Sequence, residues 1–171
     1  MSEDLRYPVG KLARRPAIDA ATREQLIDEI EQLPGHLRAA VSGLSESQLD
    51  TPYRDGGWTV RQVVHHIADS HMNAFIRFRL ALTEDKPTIK PYDETAWATL
   101  ADMQLDPRVS IQILDGLHQR WHTMLLAMHA ADFAREAIHP DHGPRSLDWF
   151  LQLYAWHGRH HIGHIKLTAA A

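Results

Sequence analysis

Apolar residues recur at steps of three and four over four long stretches of the chain, and no segment sustains the two-residue alternation of a half-buried strand. Between Thr22 and Leu44 the stripe is Leu26, Ile30, Leu33, Leu37, Val41 and Leu44. Pro34-Gly35 falls inside it without shifting its phase, which predicts one kinked helix, with two consecutive shorter helices as the alternative. A turn-rich connector follows at residues 51–57. The second helix then opens at Thr59, which with Gln62 has the spacing of a capping box, and Val63, Ile67, Ala74 and Phe78 carry its face to about Glu84. The third runs from about Pro107, a residue suited to a first helical turn, to Ala131 on Ile111, Leu114, Leu117, Trp121, Leu125 and Met128. A polar loop at 139–144 precedes the last helix, which opens near Ser146 or Leu147 and runs to about Thr168. Its core side carries Leu147, Phe150, Leu151, Tyr154 and Ile165. Four amphipathic helices of this length predict an all-α four-helix bundle.

The connections add two features. Pro8, Gly10 and Pro16 predict an extended N-terminal arm rather than a helix. Residues 85–106 contain Pro87 and Pro91 and one short helical piece, Asp93 to Met103, and form a long crossover connection. Such a length covers a site, joins a partner, or merely crosses the bundle. The whole chain, 171 residues with 44% hydrophobic content, reads as a single domain spanning 1–171. A formal charge of -4 argues against a nucleic-acid partner, and no apolar run of about 18 residues offers a membrane segment. The expected setting is soluble and cytoplasmic, with a small-molecule substrate. There is no cysteine, so thiolate metal sites and cysteine nucleophiles are excluded.

Histidine changes the picture. The chain carries 13, with the densest group inside the last helix: His157, His160, His161 and His164. Four residues advance a helix by about 400°, so the pairs 157/161 and 160/164 can each point two imidazoles at one ion. With Leu147 at zero, His161 falls in the core stripe at roughly 320°, while His160 and His164 share a flank at roughly 220° and 260°. The second helix sorts its histidines likewise. With Val60 at zero, His65 lies on the polar side at roughly 140°, His71 in the apolar stripe at roughly 20°, and His66 on a flank at roughly 240°. Two ligands from one helix and one from a facing helix make an open three-ligand site, so His66, His160 and His164 are the candidate metal ligands. His71, His118 and His122 read as structural or surface residues.

The string from Gly56-Gly57-Trp58-Thr59-Val60-Arg61 through His65-His66-Ile67-Ala68-Asp69-Ser70-His71, followed by Tyr154-Ala155-Trp156-His157-Gly158-Arg159-His160-His161-Ile162-Gly163-His164, resembles the YfiT branch of the DinB-like four-helix metalloproteins. The resemblance extends to Arg6-Tyr7-Pro8-Val9-Gly10, Thr51-Pro52-Tyr53-Arg54 and Lys86-Pro87-Thr88-Ile89-Lys90-Pro91-Tyr92, and so covers nearly all of the chain. It implies a DinB-like bundle that binds one divalent ion per chain through three histidines, here His66, His160 and His164. It also implies a cytoplasmic homodimer and a metal-dependent hydrolase. Other DinB-like bundles are thiol S-transferases, so the fold alone does not fix the reaction.

A three-histidine ion leaves room for water, lowers its pKa and polarises a carbonyl or phosphoryl oxygen, which suits hydrolysis. The same ion can hold a thiolate for transfer to an electrophile, or serve only to fasten two helices in a non-catalytic stress-response protein. Asp69, three residues after His66, is the candidate base or imidazole-orienting carboxylate, and His157 and His161 are candidate partners of the ligands. The loop from His139 to Pro144, with Arg145, is a candidate for an anionic substrate group. The five tryptophans are assigned to the core or a dimer surface. Imidazole suits several metals; hydrolytic chemistry and availability favour zinc, Zn(2+), with nickel, Ni(2+), as the alternative.

Overall fold

The computed structural model describes residues 4–169. Four long helices, α1 (Ala20–Val41), α3 (Val60–Thr83), α5 (Arg108–Leu126) and α7 (Leu147–Ala169), are joined by short ones. These are α2 (Glu46–Leu49), α4 (Glu94–Trp97), a 3-10 turn (Ala101–Gln104) and α6 (Ala130–Phe133). α1 and α3 each pack against both α5 and α7, so the helices run α1, α5, α3, α7 around the bundle and those consecutive in sequence are not always neighbours. Among the described residues no helix is long and apolar enough to cross a membrane.

The caps are those the side chains dictate. Asp19 accepts the Thr22 N–H at 2.7 Å to open α1. Thr59 accepts the Gln62 N–H at 3.1 Å while its own N–H donates to Gln62 Oε1 at 3.0 Å, the expected capping box of α3. Pro34 lies inside α1, which is one helix rather than two. Apolar stripes meet in two groups, one around Phe78, Trp121 and Phe150 and the other around Val63, Ile67 and Leu114.

Three expectations need correction. α5 ends at Leu126 rather than Ala131, and α6 follows as a separate turn opened at His129. The polar loop belongs to a two-stranded antiparallel hairpin, β1 (Glu136–His139) with β2 (Gly143–Ser146), in an otherwise helical fold. Gly143 takes a left-handed φ of 68°, which suits the tight return. The hairpin is tied to the crossover by Ile89 N–H to the Ile138 carbonyl at 3.0 Å and Ile138 N–H to the Pro87 carbonyl at 2.9 Å. Finally, His65 is buried rather than on a polar face. Its Nε2 donates to the Leu105 carbonyl at 3.0 Å and its Nδ1 accepts from Ser110 Oγ at 2.7 Å, because the crossover lies over that side of α3.

Two further contacts position the site. Arg61, 6% exposed, reaches Glu46 at 2.6 Å, Asp50 at 2.7 Å and the Leu105 carbonyl at 3.1 Å, fixing α2 and the end of the crossover to α3. The N-terminal arm lies along α7. Trp156 Nε1 donates to the Gly10 carbonyl at 3.1 Å, and Gln152 bonds both the N–H and the carbonyl of Arg15. A Cβ on Gly163 would stand 2.8 Å from Pro8 Cγ, so a residue without one lets the arm approach.

Candidate metal centre

His157, His160, His161 and His164 repeat at three and four residues on α7, so all four rings leave one side of the helix. His66 reaches them from α3. Two trios form, His66–His157–His161 and His160–His161–His164, each with one ring nitrogen per residue inside 4.8 Å of the others. His161 belongs to both. The three expected ligands are thus all in the cluster, but divided: His160 and His164 are partners, with ring centroids 4.3 Å apart, whereas His66 touches His157 and His161. His160 Nδ1 and His164 Nε2 are buried without a hydrogen-bond partner. Unpaired buried nitrogens cost free energy unless something binds them, and a divalent cation is such a group.

Electrostatics suit the same occupant. Burial is the leading cause that lowers the pKa of His66 to about 4, with the nearby His160 adding to it. Burial likewise brings His160 and His164 to about 4. His157 and His161 lie well below the usual imidazole value, again through burial first and neighbouring rings second. All five are neutral at pH 7 and hold lone pairs ready for a metal without first losing a proton.

An aromatic ring backs each expected ligand. Tyr53 stacks on His164 at 3.9 Å, Trp156 stacks on His160 at 4.3 Å, and Trp58 packs on His66 at 4.7 Å. Trp58 packs against the core group of Val63 and Ile67 as well as on His66, Trp156 stacks on His160, and Trp121 is fully buried as expected. Helical spacing accounts for Trp156 and His160, four residues apart on α7, but not for Tyr53, which joins the turn at 51–58 to a helix about 100 residues later in the chain.

A cavity of about 320 Å³ reaches His157, lined also by Arg14, Arg77, Tyr92, Glu94 and His142. The crossover and the hairpin turn both contribute to it, His139 and Asp141 included. Arg145 is not among its walls; its guanidinium lies over Trp149. A larger groove of about 810 Å³ between α1 and α7 is lined by Leu33, Gly158 and Ile162 and by none of the clustered histidines.

Asp69 stands apart from the rings. No hydrogen bond joins its carboxylate to an imidazole among the described residues, and its charged neighbour is Asp102 on the crossover. Burial, then the Asp102 charge, raise its pKa to about 6. A carboxyl whose folded pKa exceeds its unfolded value destabilises the fold fully above about 6, and the penalty fades as pH falls toward about 4. Asp69→Asn is therefore expected to stabilise the protein by about 1 kcal/mol at pH 7.5, read as a higher urea midpoint. An unchanged or lower midpoint would show that a partner neutralises this carboxylate.

The profile of the DinB superfamily matches residues 29–165. A relative from Bacillus cereus (strain ZK / E33L) is 52% identical over 162 residues, 95% of this chain and 94% of its own. One from Bacillus mycoides (strain KBAB4) is 52% identical over 163 residues, with the same coverage. Both are named as metal-dependent hydrolases, with the activity marked as inferred. Among solved structures, YfiT from Bacillus subtilis matches with a TM-score of 0.94 at 48% identity, over 97% of this chain and 96% of that one. It is described as a metal-dependent hydrolase, also by inference, with an unusual four-helix bundle topology. With the helical frame, the histidine cluster and these likenesses in agreement, the chain belongs to the DinB superfamily.

Proposed function

We propose that the protein is a metal-dependent hydrolase of a small molecule, with His66, His160 and His164 holding one divalent ion, zinc in preference to nickel. The observation that carries this reading is the pair of buried, partnerless nitrogens on His160 and His164 beside the neutral ring of His66. When bound, the ion supplies Lewis-acid chemistry: it polarises a carbonyl or phosphoryl oxygen and makes water acidic enough to attack near neutral pH. The chain supplies the rest. Three uncharged imidazoles leave the ion's full charge available to a substrate oxygen, which a carboxylate or thiolate ligand would reduce. Tyr53, Trp58 and Trp156 restrict ring rotation, so the lone pairs are held in place before an ion arrives. The cavity beside His157 has the volume for a small substrate, and Arg14 and Arg77 give part of its wall a positive charge.

The test is elemental analysis of protein purified without a histidine tag, followed by a panel of esters, amides and phosphoesters. One zinc or nickel per chain is expected, with turnover that a chelator removes and zinc restores. No bound ion after incubation with zinc would overturn the metal site. A loaded protein that joins thiols to electrophiles and leaves the whole panel intact would overturn the hydrolase.

A further inference from the structure

An α-helical carbonyl accepts the N–H four residues later, and proline has none. Pro34 sits inside α1, so the carbonyl of Ile30 loses its helical donor. Ile30 is 1% exposed, and water does not replace that donor. The replacement comes from α5: His118 Nδ1 lies 2.5 Å from the Ile30 oxygen. The carbonyl can only accept, so Nδ1 carries the hydrogen. Burial keeps His118 neutral, and a neutral imidazole has one N–H, so its Nε2 is a lone pair.

Two further ring-to-ring contacts continue the column from His118. His71 Nδ1 is 3.1 Å from His118 Nε2 and must donate, which leaves His71 Nε2 as acceptor. His157 Nδ1 is 3.2 Å from His71 Nε2 and must donate in turn, which leaves His157 Nε2 as a lone pair. That atom faces His66 Nε2 at 3.2 Å. His71 is completely buried, and Trp121 and Tyr154 meet its ring edge-on, so no solvent molecule interrupts the column. We propose that Pro34 and the buried column His118–His71–His157 form a tautomer lock, in which the carbonyl freed by the proline sets the proton on every ring and presents the Nε2 lone pair of His157 to His66.

His66 then donates its Nε2–H to His157 and keeps Nδ1 as its own free lone pair. A ring held through its second nitrogen is better oriented and more basic toward a cation, and loss of such a partner typically weakens metal binding 10- to 100-fold. His118, His71 and His157 are positioning residues in this scheme, and none need touch a substrate. The lock itself stands on the metal-free geometry. Only its effect on affinity rests on the metal reading above.

Long-range proton–nitrogen correlation spectra of metal-free, histidine-labelled protein at pH 7.5 test the lock directly. His71, His118 and His157 are each expected as the Nδ1–H form. Pro34→Ala returns an N–H to compete for the Ile30 carbonyl while favouring the helix, so it should fold. Its three rings should show mixed tautomers and its zinc affinity should fall about 10-fold. His118→Gln should show the same loss of affinity. An Nε2–H form at any of the three rings in the unmutated protein would overturn the lock, as would Pro34→Ala with unchanged tautomers. Failure of the unmutated protein to bind zinc, with the tautomers as expected, would count against the metal reading alone.

Discussion

His160→Ala is expected to take the protein from one tightly held divalent ion per chain to none. His160 and His164 face each other at 4.3 Å and each has a buried nitrogen with nothing to bind, whereas the nitrogens of His157 are both in hydrogen bonds to other rings. Removing a direct ligand should cost more than the 10- to 100-fold seen when only a ligand's hydrogen-bond partner is lost, so affinity should fall by more than about 100-fold. Competition with a chromogenic chelator reads this at constant pH. The parallel variant His161→Ala discriminates between arrangements, because His161 sits in both tight trios. An ion retained by His160→Ala and lost from His161→Ala would move the centre to His66, His157 and His161.

Acid should unfold the metal-free protein sooner than its carboxylates would require. His66, His71, His118 and His161 are at most 8% exposed, and burial depresses the pKa of each. In the unfolded chain each returns to about 6.5 and takes up a proton. A group whose folded pKa is depressed contributes no penalty above the unfolded value, and stability drains away as pH falls from about 6.5 through the folded value. Each ring costs up to about 1.4 kcal/mol per unit of pH in that window. Four such rings together cost up to about 5–6 kcal/mol per unit of pH, so between one and two units exhaust the lower half of the ~5–15 kcal/mol range that holds a typical domain. Circular dichroism should therefore show a cooperative loss of helix between about pH 6.5 and 5. Zinc should shift it downward, since protons and metal compete for the same nitrogens. A helical signal that stays flat to pH 5 without metal would mean that these rings hold protons inside the fold.

The long helices were legible because burying one face demands a period near 3.6, and because Thr59 and Gln62 announce their cap chemically. The flank angles placed His160 and His164 together, but did not single out His157 and His161, the rings through which His66 meets the cluster. What periodicity could not supply is what covers a face. His65 counts as polar-side by angle, yet the crossover lies over it and Ser110 and Leu105 bind its ring. The hairpin stayed hidden because its strands have four residues each, with Pro144 in one of them, too short and too mixed for an alternation to register. Asp69 was a fair candidate by spacing, but the residue nearest in charge is Asp102, on a segment whose path a helical wheel does not contain. Pro34 was visible as a break in helix chemistry. That its orphaned carbonyl would be met by His118 depends on how α5 lies against α1, which is tertiary information.

The N-terminal arm and the histidine cluster share a dependence on α7 that matters while the chain is being made. Trp156 meets Gly10 across 146 residues, and His66 meets His157 across 91. At about 5–20 residues per second, His66 leaves the ribosome roughly 5–20 s before its partners exist. Through that interval α3 carries histidines and apolar faces with no α7 to cover them, and the arm has no surface on which to settle. Neither the cluster nor the arm can close before α7 has been made, so the two form together, late, on the same helix.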